Sequence, residues 1–120
     1  MREIEFRGKS LIEKDKWLVG SLYDEGGEEY ILPAFLASAL DFENYQVDPN
    51  TVGQFTGFWA RHGNGEPKKI YEGDTVKVGK LEYLVCWSLK DGRWYLGNGS
   101  ENSIIWMSIA GENSYEIINH

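Results

Sequence analysis

Apolar and polar residues alternate along much of this chain, and the longest such run lies in its second half. Leu81, Tyr83, Val85, Trp87 and Leu89 occupy five consecutive odd positions, the period-2 pattern of a strand with one full face in a core. Asp91-Gly92, a favoured dipeptide of tight hairpin turns, follows, and Arg93 to Leu96 reads as the return strand. Just upstream, Ile70 to Val78 sets Val76 and Val78 inward and Thr75 and Lys77 outward.

Weaker signals extend the pattern to both ends. Ile4 and Phe6 share one face of a short strand that Gly8 is expected to end, and Trp17 to Tyr23 is the next, so the pair predicts an N-terminal hairpin. Asp24, Glu25, Glu28 and Glu29, broken by Gly26 and Gly27, read as a solvated acidic loop. Tyr30 to Leu32 forms a strand stopped by Pro33, and Ala34 to Phe42, rich in Ala and Leu behind that proline, predicts a short helix. Val47 to Thr51 is turn chemistry and Val52 to Trp59 a strand. The loop Arg61 to Pro67 should cap a hairpin returning through Ile70, and strands Ile104 to Ile109 and Tyr115 to Ile118 complete the set.

These elements predict a mostly β fold. From Ile70 to Leu96 the rhythm of a Gly-Asp-x-Val turn, a long amphipathic strand, a tight turn and an aromatic return strand is that of a small SH3-like, partly open barrel, with the hairpin and one short helix added to it. Residues 1–120 are expected to form one domain, a size at which a chain buries roughly two thirds of its unfolded surface.

Charge narrows the range of partners. Nineteen acidic against twelve basic side chains give a net charge of −7, which repels phosphate backbones and anionic membranes, so duplex nucleic acid and membrane binding are not expected. Cys86 is the only cysteine, which rules out an intramolecular disulfide, and the N-terminal residues lack the apolar run of a signal peptide. A cytoplasmic location in a bacterial host cell is therefore expected.

Catalytic signals are sparse, and no cofactor, metal or catalytic residue is assigned. Gly8-Lys9-Ser10 lacks the upstream glycine of a phosphate loop, because Glu3 stands there. Cys86 reads as a strand side chain, on the opposite face from Val85 and Trp87, and His62 lies in a Gly-rich loop, so the two do not suggest a nucleophile and base. Glu72 and Asp74 flank Gly73 and are the one carboxylate pair considered for acid-base or cation chemistry; the expected role of Asp74 is to accept backbone N–H bonds in a turn. Asn98-Gly99-Ser100 has the spacing of a glycosylation acceptor, but a cytoplasmic protein does not meet that machinery.

Aromatic residues carry more information. Phe58-Trp59 and Trp94-Tyr95 are adjacent pairs, so a strand must turn one member of each to the opposite face. Phe58, Trp59, Trp94 and Tyr95 form the candidate binding surface, for a protein partner or a second copy of the chain. The alternative is single-stranded nucleic acid, with Arg2, Arg7, Lys9, Arg61, Lys68, Lys69 and Arg93 supplying a local basic face.

Four stretches resemble the YopX-like family of small bacteriophage and prophage proteins: Arg2 to Lys9, Trp17 to Leu22, Val47 to Gly57 (V-D-P-N-T-V-G-Q-F-T-G) and Ile70 to Val78 (I-Y-E-G-D-T-V-K-V). The Pro33 to Tyr45 segment departs from the family as an insertion, and the chain's end departs from its usual I-G-N-I-Y-E-N-like tail. The resemblance implies a phage or prophage origin and a mostly β fold. With the aromatic surplus, it leads to the expectation of a non-catalytic accessory protein acting through protein binding or self-association.

Overall fold

A computed structural model of the chain describes residues 4–33, 43–99 and 104–118. The protein is mostly β, its strands forming two antiparallel sheets, and it divides into two compact units, residues 1–55 and 56–120.

In the first unit, β1 (Phe6–Lys9) and β2 (Trp17–Glu25) form the expected hairpin, in a register from Phe6 opposite Gly20 to Lys9 opposite Trp17. Gly8 does not end the strand. It is buried inside it, where a Cβ would meet Val47 at 3.0 Å, so glycine is what lets the two backbones approach. The expected acidic loop is also replaced by pairing. Asp24 and Glu25 belong to β2, Glu28 and Glu29 to β3 (Glu28–Leu32), and Asp24 stands opposite Glu29 and Glu25 opposite Glu28. Gly26 and Gly27, with φ of 63° and 85°, make the two-residue turn, whose conformation needs positive φ at both positions. β4 (Gln46–Val47) pairs with β3, and Gly53 and Gln54, which begin β5 (Gly53–Ala60), pair with Arg7 and Phe6 of β1. Leu18, Ile31 and Val47 form the core, with Phe6, Tyr45 and Val52 against it. The helix expected over Ala34 to Phe42 lies outside the described residues.

In the second unit, the end of β5 lies beside β6 (Lys68–Tyr71). The buried Thr56 hydroxyl donates to the Ile70 carbonyl at 2.8 Å and accepts the Phe58 N–H, which satisfies it. The rest is a five-stranded sheet of β7 (Thr75–Val78), β8 (Leu81–Ser88), β9 (Arg93–Gly97), β10 (Ile105–Trp106) and β11 (Glu116–Ile117). Its order is β10-β9-β8-β7-β11. The meander runs from β7 to β10, and the chain then crosses through a 3-10 turn at Glu112–Ser114 to lay β11 along β7. The two last strands are shorter than the sequence pattern predicts.

The expectation that the whole odd face of β8 is core is corrected in part. Tyr83 and Val85 are buried with Val76, Trp94, Leu96 and Met107, but Leu81 is exposed and Leu89 is 91% exposed. The strand stops at Ser88, and Leu89 projects from a four-residue loop closed by Ser88 opposite Arg93. That loop, and not a two-residue turn, contains Asp91-Gly92. Outside a ladder, residue alternation no longer dictates a face.

Candidate functional site: the outer face of the five-stranded sheet

Directly opposed residues of a sheet share a face, so the register sorts the side chains of the second unit. Val76 opposite Tyr83, Val85 opposite Leu96 and Trp87 opposite Trp94 point into the core. The other face carries Thr75 opposite Leu84 opposite Gly97, and Cys86 opposite Tyr95 opposite Trp106. Leu84 is 49% exposed there.

These two rows floor an open groove of about 950 Å³ along β8, from Glu82 to the loop holding Leu89 and Asp91, with Ile104 on its β10 side. Tyr95 and Trp106 meet edge to face at 6.0 Å and 69°, a favoured aromatic geometry. Gly97 has a local reason: a Cβ there would come within 3.1 Å of the Tyr95 ring, so its absence lets that ring lie over the strand. The Arg93 guanidinium sits 4.3 Å from the centre of the Trp106 ring. Asp91 is held by Ser88, whose hydroxyl donates to its carboxylate at 3.2 Å and accepts its N–H at 3.1 Å.

The groove's titratable groups stay neutral. Desolvation raises the pKa of the Cys86 thiol above its ordinary value, the Glu72 charge adds to this, and a hydrogen bond with Tyr95 opposes it only in part. Tyr95 is raised in turn, chiefly because a Cys86 thiolate would repel a phenolate. A thiol held protonated is a poor nucleophile at neutral pH.

The sequence-predicted surface residues separate. Trp94 is a correction: it is 5% exposed, stacked edge-on against Trp87 at 4.8 Å in the core, since alternation that turns Tyr95 outward turns Trp94 inward. Phe58 is half-buried against the same core. Trp59 is half-buried under two cations, Arg61 and Lys69, each 5.8 Å from its ring centre. Tyr95 alone of the four lines the groove. Leu84, Cys86 and Trp106 join it there, unselected by sequence reasoning. The available signal was that β8 is apolar at even as well as odd positions, which a one-sided strand does not require.

Glu72 and Asp74 do not converge. Asp74 is fully buried, one carboxylate oxygen accepting the Tyr71 N–H at 2.8 Å, whereas Glu72 is exposed in the same turn. Among the described residues no group of three or more His, Cys, Asp and Glu side chains could hold a metal ion, and no helix is long and apolar enough to cross a membrane. Of the basic residues weighed for nucleic acid, Arg7 and Lys9 lie over Trp17 at 4.6 and 5.5 Å in the first unit, Arg93 sits on Trp106, and Arg2 is outside the described residues. Comparison with family models, with curated proteins and with solved structures finds no match for this chain.

Proposed function

We propose that this is a non-catalytic accessory protein of the YopX-like phage or prophage kind, working in the bacterial cytoplasm, whose outer sheet face docks a protein. The groove over Leu84, Cys86, Tyr95 and Trp106 carries this reading. It is concave, it exposes large apolar side chains, and its thiol and phenol are held neutral, which suits binding better than chemistry. The reading of residues 70–118 as a small SH3-like, partly open barrel is supported by the return of β11 to β7 after a 3-10 turn.

The test compares Leu84→Asp with the wild type and with Glu66→Ala, an exposed change away from the groove. Proteins recovered from host extract by wild type and Glu66→Ala should be lost with Leu84→Asp, or light scattering should show a wild-type oligomer that Leu84→Asp dissociates. Identical recovery and identical mass for all three would overturn the proposal.

Single-stranded nucleic acid is the second reading, favoured by one observation: Trp17, 42% exposed, has both Arg7 and Lys9 on its ring, the combination on which bases stack. Against it, residues 1–55 hold eleven of the nineteen acidic side chains and five of the twelve basic ones. A fluorescence titration with oligo-dT at low salt decides: binding lost on Trp17→Ala supports this reading, and no micromolar binding ends it.

A further inference from the structure

We infer that the groove takes an extended, proline-containing segment of a partner protein carrying a lysine or arginine at each end. This rests on the docking reading above and supplies its chemistry.

Three observations lead to that occupant. First, the groove lies on the face of β8, and β8 is an interior strand whose two sides are paired with β7 and β9. It offers no free ladder, so a ligand cannot bind as an added strand and must bring a backbone that needs no ladder partner. A polyproline II segment is such a backbone, and it docks on aromatic rings. Tyr95 and Trp106, set edge to face, provide the rings.

Second, the charges lining the groove are of one sign. Among the described residues that line it, Glu82 and Asp91 are acidic, and none is lysine, arginine or histidine. They stand at its opposite ends along β8, with Glu72 close enough to raise the Cys86 pKa. Lys77 stands opposite Glu82 and Arg93 covers Trp106, so the rim discriminates by placement and not by net charge alone. A cation at each end of the ligand meets a carboxylate, while its apolar middle crosses Leu84, Tyr95 and Trp106.

Third, the lengths agree. Glu82 to Ser88 spans roughly 20 Å at the rise of a strand, which a polyproline II segment covers in about six or seven residues. A cationic partner is also the one an acidic chain attracts from a distance.

The experiment uses the full chain and three labelled heptapeptides: Lys-Pro-Pro-Leu-Pro-Pro-Lys, the same core with glutamate ends, and a helix-forming Lys-Leu-Ala-Ala-Leu-Ala-Lys. Fluorescence anisotropy should show the first binding about tenfold tighter than the second, with Leu84→Asp or Trp106→Ala weakening it at least about fivefold. Leu84 is half exposed, so its variant leaves the core intact even if Trp106→Ala misfolds. The double variant Glu82→Gln with Asp91→Asn should erase the difference between basic and acidic ends, and bound peptide should protect Cys86 from iodoacetamide. Equal binding of the two proline peptides, preference for the helical one, or indifference to both groove variants overturns the inference. Oligo-dT binding that Trp106→Ala abolishes would overturn it in favour of nucleic acid. If no peptide binds while groove-dependent protein recovery persists, the peptide chemistry fails and docking stands. If both vanish, both fail.

Discussion

Two buried or half-buried polar residues carry distinct predictions. Asp74, fully buried, caps the turn before β7 by accepting the Tyr71 N–H. Asp74→Ala leaves that donor without its acceptor and should cost about 2 kcal/mol in urea unfolding. Peptide binding at the groove, which Asp74 does not line, should be unchanged at temperatures where the variant is folded. Cys86 is the groove's built-in reporter. Because burial raises its pKa, labelling by iodoacetamide should be slower than for a free thiol at pH 8 and should accelerate only above about pH 9. A rate at pH 8 equal to that of a model thiol would show that the side chain is not desolvated. Sequence position alone made Asp74 legible, since an Asp before a strand is turn chemistry. It did not make Leu84 or Trp106 legible, because exposure of an apolar residue depends on what the rest of the chain leaves uncovered.

At the scale of elements, the β2-β3 hairpin stands out. Asp24 opposes Glu29 and Glu25 opposes Glu28, and directly opposed like charges destabilise a ladder. Asp24→Lys should therefore stabilise the first unit by about 0.5 kcal/mol at low salt, with the gain shrinking as salt rises. A loss of stability in thermal melts would show that the repulsion is already relieved. The partner strand is constrained elsewhere: a Cβ at Gly20 would collide with the Leu32 carbonyl. Gly20→Ala should cost about 2 kcal/mol, as overpacking of a tight contact does. Strand positions were readable from alternation, and pairing was readable where turns were short. The acidic stretch was misread because charge density resembles a loop, while the hydrogen bonds of a hairpin are indifferent to the side chains that point away from it.

For the molecule as a whole, alkaline pH is the condition it resists least. Tyr30, buried, donates to the Glu28 carboxylate at 2.7 Å, and this bond, with burial, pushes its pKa up to about 12. Cys86 and Tyr95 are raised as well. Each folded pKa lies above its unfolded value, so each contribution is complete below the unfolded pKa and is lost as pH rises through the folded one. Stability should be flat to about pH 9 and fall from there to about pH 12. Tyr30→Phe should flatten the upper part of that fall in chemical denaturation. An unchanged profile for this variant would remove Tyr30 from the account.

The sequence by itself determined that the chain is mostly β, where most strands lie, and that one strand is unusually apolar, because side-chain period follows from backbone geometry one segment at a time. Only the tertiary structure decided that Trp94 is core and Tyr95 surface, that Trp106 and Leu84 complete the face Tyr95 begins, and that Glu72 and Asp74 part company. Those outcomes depend on register and on long-range pairing of β7 through β11, and neither is encoded in any single stretch of residues.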